Sequence, residues 1–173
     1  MGVFDEAHAL VIQREAKDTN DPKDPGGLTR FGIAQKYHPE IDVAKLTAAD
    51  AKAFYRSEYW DRCNLEPVSA ISRRIAIKLF DIAVSQGAGR PQRWLQLAMR
   101  KLGWRVKADG VVGPRTLEDF RLAIDEGQES AILHEIRMLS LQQRIDRVKE
   151  RPDQVGYFGG WALRALDLDG RFS

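Results

Sequence analysis

The stretch REAKDTNDPKDPGGLTRFGI, residues 14–33, joins a helical pattern to a loop rich in Asp, Asn, Pro and Gly. Upstream of it, apolar residues recur every three or four positions, which predicts an amphipathic helix that ends near Glu15. Within the loop, two prolines fix φ and two consecutive glycines can adopt positive φ. The sequence therefore predicts a helix whose last turn carries a glutamate and leads into a conformationally restricted loop.

Glu15 follows Val11 by four residues, so it falls on the helix stripe that we expect to face the core. Burial disfavours a charged carboxylate, and the negative end of the helix dipole acts in the same direction, so we expect a raised pKa for Glu15. A carboxylic acid that keeps its proton near neutral pH can act as a general acid. The alternative is that Glu15 points outward from a frayed helix end and pairs with a neighbouring Arg or Lys.

The loop supplies candidates for a second catalytic group, with Asp24 nine residues after Glu15 and Thr29 fourteen residues after it. Glycoside hydrolysis needs an acid to protonate the leaving oxygen and a second carboxylate to hold a water or stabilise the oxocarbenium-like state. A nearby hydroxyl can orient that water. Asp18 and Asp21 are rival second carboxylates, and spacing alone does not choose among the three.

Helical periodicity continues through most of the chain, and strand-like alternation is scarce. Thr47 with Asp50 three residues later is close to a capping box and predicts a helix start. Pro91 and Pro114 are typical of the first position of a helix, and Gly87 is typical of the position after a helix end. The pattern predicts a mostly α-helical protein, with a small β-hairpin in the loop after the first helix.

Composition excludes several classes of protein. The chain has 173 residues, a net charge of +2 and one cysteine, Cys63, so it has no internal disulfide and gives little reason to expect a nucleic-acid partner. No apolar run approaches the roughly 20 residues of a membrane span. The first residues, MGVFDEAHAL, lack the basic start and apolar core of a signal peptide. We therefore expect no stable membrane insertion.

The loop NDPKDPGGLTRFGI resembles the signature of family 108 glycoside hydrolases, which are N-acetylmuramidases of phages and Gram-negative bacteria. The spacing Glu15, eight residues, Asp24, four residues, Thr29 also resembles a phage-lysozyme pattern with one residue fewer in the second gap. The resemblance extends to YRSEYWDRC, LFDIAVSQGAGRPQRWLQ, ADGVVGPRTL and GGWALRALDL, and so spans nearly the whole chain. It departs at residues 16–18, where Ala, Lys and Asp replace the family's Gly, Gly and Tyr.

The resemblance implies an all-α, lysozyme-like fold in two regions. Residues 1–88 would form the catalytic region, and residues 89–173 a helical, peptidoglycan-binding-like region packed on it. The segment ADGVVGPRTLEDF is similar to a turn of peptidoglycan-binding modules, although Asp109-Gly110 and Gly113-Pro114 are equally typical of a turn and a helix start with a purely structural role.

The activity implied by the resemblance is hydrolysis of the β-1,4 bond between N-acetylmuramic acid and N-acetylglucosamine in peptidoglycan. Glu15 would be the general acid, and Asp24, assisted by Thr29, would position water or stabilise charge. Asp21, Tyr37 and Tyr59 are the candidate substrate-binding residues, and Asp21 is also the reserve second carboxylate.

The implied chemistry needs no metal and no organic cofactor, because proton transfer and electrostatics suffice. A calcium loop at residues 18–24 is disfavoured because prolines interrupt it and its bidentate Glu is missing. The expected partner is the peptidoglycan glycan strand, and the expected state is a monomer. As in phage endolysins, we expect synthesis in the host cytoplasm and holin-dependent release to the periplasm for host cell lysis.

Two other functions fit the same sequence. The changed residues 16–18 are compatible with a non-catalytic peptidoglycan-binding or secretion-helper protein that kept the fold and lost the chemistry. A lytic transglycosylase would cut the same bond without water and leave an anhydro product.

Overall fold

The computed structural model describes residues 2–15 and 27–167, without the side chain of Glu15. The elements in chain order are α1 Val3–Glu15, β1 Thr29–Arg30, β2 Ile33–Ala34, a 3-10 helix Val43–Lys45, α2 Ala48–Tyr55, a π-helix Arg56–Asp61, α3 Leu65–Ser69, α4 Arg73–Gln86, α5 Pro91–Lys101, α6 Pro114–Asp125, α7 Glu129–Glu150, a second 3-10 helix Pro152–Tyr157 and α8 Phe158–Leu166. The protein is thus mostly helical, as predicted.

The predicted hairpin after the first helix is present at residues 29–34. Strands β1 and β2 pair antiparallel, with Thr29 opposite Ala34 and Arg30 opposite Ile33. The two turn residues, Phe31 and Gly32, both have positive φ, at 51° and 77°. Positive φ at both central residues is the condition for a type I′ turn, which matches the twist of the paired strands. Glycine adopts this conformation readily, whereas phenylalanine does so at a cost in strain.

Helix α4 is the centre of the fold. It begins at Arg73, where the Ser72 side chain accepts a hydrogen bond from the backbone N–H of Ile75 (3.1 Å), and Gly87 with φ of 96° follows its end. Nine consecutive residues, Ile75–Ala83, are buried. Helices α1, α3, α5 and α7 and the π-helix all pack against α4. The apolar stripe of α1 faces it through Phe4, Ala7 and Val11.

The capping box before α2 is confirmed, but the helix that follows differs from the sequence prediction. The Thr47 side chain accepts a hydrogen bond from the backbone N–H of Asp50, and the Asp50 carboxylate accepts one from the backbone N–H of Thr47. The segment LTAADAKAFYRSEYW predicts one continuous α-helix, whereas α2 ends at Tyr55 and continues as a π-helix. Tyr55 and Trp60 are five residues apart and both are buried, which suits the wider i→i+5 turn of a π-helix.

No helix within residues 2–15 and 27–167 is both long enough and apolar enough to cross a membrane.

Candidate active site

The last turn of α1 is attached to the protein core. Arg14, next to the terminal residue Glu15, points inward, and its Nη1 lies 2.9 Å from Oδ1 of Asp81 on α4. Both side chains are almost completely buried. A charge-assisted contact of this kind restricts the helix end. The backbone of Glu15 is therefore carried by an anchored turn rather than by a frayed one.

The hairpin that carries Thr29 is held by side chains from two other segments. The Tyr55 hydroxyl donates a hydrogen bond to the carbonyl oxygen of Phe31 (3.1 Å), at the tip of the turn. The Arg30 guanidinium donates to the carbonyl oxygen of Ala44 (2.9 Å). Thr29 itself is the first residue of β1 and is half-buried. These bonds fix the strand in which the Thr29 hydroxyl stands.

The segment after the hairpin is organised by Gln35. Its Nε2 donates to the carbonyl oxygens of His38 (3.1 Å) and Ile41 (2.7 Å), and its Oε1 accepts from the backbone N–H of Val43 (3.1 Å). This clamp shapes residues 35–43 into a compact turn. It leaves the ring of Tyr37 70% exposed on the surface of that turn.

Tyr59 belongs to an aromatic cluster beside the hairpin. Its ring stacks on Tyr55 with centroids 5.6 Å apart and meets Phe54 edge-on at 6.1 Å. The His38 ring in turn lies 4.7 Å from Phe54. Tyr59 is half-buried, so part of its ring remains accessible. The cluster thus connects the segment of Tyr37 to the helix that anchors the hairpin.

Asp18, Asp21 and Asp24 lie outside the described residues, as does the side chain of Glu15. The arrangement of the two carboxyl groups, the place of Asp21 and the roles of Thr29, Tyr37 and Tyr59 toward substrate therefore remain predictions.

Burial shifts the pKa of two ionisable side chains near these elements in the direction that favours their neutral forms. Desolvation, followed by the charge of Lys52, lowers the pKa of His8, whose ring packs 5.5 Å from Tyr55. Desolvation raises the pKa of the Cys63 thiol to about 11, and its Sγ contacts the carbonyl oxygen of Ala88 at 3.3 Å. A thiol with such a pKa is a poor nucleophile near neutral pH. Within the described ranges, no group of three His, Cys, Asp or Glu side chains is placed to hold a metal ion.

A buried charge cluster, formed by Arg14, Lys78, Asp81, Arg137, Arg164 and Asp167, lies under the last turn of α1. Asp81 receives Arg14 and also Arg164 of α8, whose Nε and Nη2 lie 2.9 Å and 2.8 Å from its Oδ1. The sequence pattern alone gives no sign of this cluster, because Lys78 and Asp81 occupy ordinary polar positions of an amphipathic helix.

Lys78 joins the same cluster to the end of α8. Its Nζ lies 2.5 Å from Oδ1 of Asp167 and donates to the carbonyl oxygen of Arg164 at 2.8 Å. Desolvation lowers the pKa of Lys78, and the charges of Asp81 and Asp167 oppose that effect. Arg137 of α7 donates to the other oxygen of Asp167 at 2.8 Å. The cluster thereby ties α1 and α4 to α7 and α8.

The turn that resembles a peptidoglycan-binding module is held from within the protein. The Asp109 carboxylate accepts from the backbone N–H of Val111 (3.0 Å) and from Nε2 of Gln96 (3.0 Å). Gln96 is fully buried, and its Oε1 accepts from the backbone N–H of Gly110, where φ is 83°. Gly113 then caps α6 without a side-chain hydrogen bond, with Pro114 in the first turn. These contacts give the Asp-Gly and Gly-Pro pairs a structural role.

Replacing Asp109 with Asn should make this turn insensitive to acid. The Val111 N–H and then the Gln96 amide lower the pKa of Asp109 to about 2, so its ionised form favours the folded state. This stabilisation is fully present when the pH is above 3.8, the ordinary pKa of an aspartate, and it is lost as the pH falls through the folded-state pKa of about 2. Urea midpoints of both proteins, measured between pH 5 and pH 2, should show the difference shrinking as pH falls. A difference that stays constant over this range would contradict the assignment.

Comparisons with known proteins agree with this architecture. Residues 8–87 match the family Glycosyl hydrolase 108, and residues 90–166 match a Predicted Peptidoglycan domain. The structure of Brucella abortus SagA superposes with a TM-score of 0.73 at 24% sequence identity, over 99% of this chain and 94% of that one. This similarity confirms the predicted lysozyme-like fold. No curated protein sequence matches the chain.

The two family matches follow one another with only two residues between them, in the order that the sequence resemblance implied. The first match supports a glycoside hydrolase that acts on peptidoglycan. The second match supports peptidoglycan as the partner. The N-terminal half of the chain thus matches the glycosyl hydrolase 108 family, and the C-terminal half matches a peptidoglycan domain.

Proposed function

We propose that the protein is an N-acetylmuramidase that hydrolyses the β-1,4 bond between N-acetylmuramic acid and N-acetylglucosamine. The observation that carries the proposal is the succession of a glycosyl hydrolase 108 match and a peptidoglycan domain match in one chain. The first match includes Glu15, Asp24 and Thr29, which are the candidate catalytic residues.

In the proposed reaction, Glu15 protonates the glycosidic oxygen as the bond to the leaving sugar breaks. Asp24 holds the attacking water or stabilises the positive charge that develops on the sugar ring, with Asp21 as the reserve candidate. The Thr29 hydroxyl orients that water. The anchored last turn of α1 and the braced hairpin support this assignment, because a general acid and its partner groups need a fixed separation.

Substrate contacts are proposed for Tyr37 and Tyr59. The 70% exposed ring of Tyr37 offers a face on which a sugar can stack, and Tyr59 presents part of its ring beside the hairpin. Asp21 would supply a polar contact from the loop.

We propose a division into a catalytic region, residues 1–88, and a peptidoglycan-binding region, residues 89–173. The two regions are joined by direct hydrogen bonds and ion pairs. The Asn64 amide donates to the carbonyl oxygen of Val112 (2.9 Å), and the buried charge cluster joins α4 to α8. We further propose that the protein acts as a monomer in the periplasm during phage-induced lysis, after release from the cytoplasm.

Digestion of purified sacculi followed by mass spectrometry of the soluble products tests the activity. Hydrolysis adds water to the cut bond, so we expect products with a reducing N-acetylmuramic acid end. Anhydro products would assign a lytic transglycosylase instead. Binding to sacculi without any soluble product would assign the non-catalytic function.

A further inference from the structure

A basic groove lies where the two family matches meet. It has a volume of about 420 Å³ and lies between the end of α4, the start of α5, and helices α7 and α8. Its lining includes Gln86, Arg90, Gln143, Arg144, Arg147 and Trp161. We call this cavity the seam groove.

The seam groove is strongly cationic. None of the lining residues is acidic, and four of them are arginines: Arg90, Arg144, Arg147 and Arg164. Arg164 is engaged by Asp81, and Arg144 donates to the carbonyl oxygen of Ser85 at 3.1 Å. Arg90 donates to the carbonyl oxygen of Gln86, and Nε of Arg147 donates to Oε1 of Gln154 at 2.7 Å. Both of these arginines are exposed, so their remaining N–H groups face solvent. Guanidinium groups bind carboxylates through paired hydrogen bonds, so the groove suits an anionic ligand.

An aromatic surface forms one side of the groove. The Arg144 guanidinium lies 5.0 Å from the centre of the Trp161 ring, and that of Arg147 lies 6.0 Å from it. Tyr157 stacks on Trp161 with ring centroids 5.9 Å apart and is itself 66% exposed. Such a surface offers an apolar contact to a sugar ring or an aliphatic side chain next to the anion-binding groups.

Two residues that line the groove, Gln86 and Gln143, carry buried side-chain acceptors. Within the described part of the chain, Oε1 of Gln86 and Oε1 of Gln143 are buried without a hydrogen-bond partner. Nε2 of Gln86 donates to the Ser140 hydroxyl (2.6 Å), which fixes the orientation of that amide. Buried carbonyl oxygens without partners are costly, so both amides would gain from an N–H donor. Because the oxygens are shielded from solvent, a ligand in the groove would reach them only after the amide groups rotate toward it.

We propose that the seam groove binds the acidic stem peptide of peptidoglycan. Stem peptides combine carboxylates, which suit the arginines, with amide N–H groups, which suit the glutamine oxygens. Inorganic phosphate or a phosphate diester lacks those donors. Arg90, Gln143, Arg144, Arg147 and Trp161 all lie within the stretch that matches the peptidoglycan domain. The inference rests on the proposed function only in taking peptidoglycan as the partner.

Binding of a disaccharide–tetrapeptide muropeptide to the intact protein tests the proposal by calorimetry. The double variant Arg90→Gln/Arg147→Gln should bind it at least about tenfold more weakly, because each lost guanidinium removes charge-assisted hydrogen bonds. The free tetrapeptide should compete for the site. The peptide-free disaccharide should bind the wild type and the double variant equally.

The matched control is Arg121→Gln, which removes a positive charge from an exposed position of α6. It should bind the muropeptide within about twofold of the wild type. Unchanged affinity of the double variant, or an equal loss in the control, would overturn the proposal. The measurement does not depend on turnover, so a wild type that binds in this manner but releases no reducing sugar would refute the proposed hydrolase and leave the groove assignment intact.

Discussion

Glu15→Gln is expected to lower the rate of peptidoglycan cleavage by about 100- to 10,000-fold, the range that general acid catalysis contributes. Glutamine keeps nearly the same shape, but its amide has no proton acidic enough to pass to a glycosidic oxygen. The residue closes α1, and Arg14 holds the same turn through Asp81, so the substitution should leave the helix in place. Release of reducing sugar from purified sacculi measures the loss.

The control for this prediction is Glu118→Gln, the same change at an exposed glutamate of α6. It should cleave sacculi at the wild-type rate. Both variants should keep the wild-type thermal midpoint and pellet with sacculi as the wild type does. If Glu15→Gln retained more than about a tenth of the activity, another group would have to be the acid. Asp24→Asn and Asp21→Asn, assayed in parallel, would identify the second carboxylate.

Helix boundaries follow closely from the sequence because the signals that set them are local. The capping box at Thr47, the prolines at 91 and 114, and Gly87 mark starts and ends that the structure confirms. In each case a hydrogen bond or a φ restriction within a few residues decides the outcome. The hairpin was likewise predictable from the position of the glycine-rich loop.

Features that depend on tertiary packing were not predictable from the sequence. The π-helix after Tyr55 places a second large aromatic, Trp60, in the core, where its Nε1 donates to Glu66 at 2.9 Å. Phe31 has a positive φ, and the Tyr55 hydroxyl donates a hydrogen bond to its carbonyl oxygen in that conformation. The spacing of apolar residues in the sequence indicates neither the contact of Trp60 with Glu66 nor that of Phe31 with Tyr55.

The same limit applies to the candidate sites. Tyr37 and Tyr59 stand near polar segments of the sequence, and the structure places both in the region of the hairpin and α2. Trp161 gave no comparable signal, since the seam groove exists only where α4, α7 and α8 meet. A sequence clue was the recurrence of arginine at positions 144, 147 and 151 of one helical face, next to an aromatic tail.

Asp81→Asn is expected to lower the free energy of unfolding by about 3–5 kcal/mol, the usual cost of removing one partner from a buried ion pair. Asp81 is 1% exposed and receives Arg14 and Arg164, with Lys78 3.8 Å away. Asparagine preserves the volume but removes the negative charge that these cations face. The thermal midpoint should fall by roughly 10 °C, and urea unfolding at pH 7 measures the free energy.

The surface pair of Asp61 with Arg56 provides the comparison that isolates burial as the cause. The atoms of this pair are 2.7 Å apart, as close as those around Asp81, but its side chains are 52% and 39% exposed. Asp61→Asn should therefore cost no more than about 1 kcal/mol, because water screens and replaces the interaction. Similar losses for both variants would mean that the buried cluster adds little to stability. A large loss confined to Asp81 would show that one carboxylate secures α1, and with it the turn that carries Glu15, to α8.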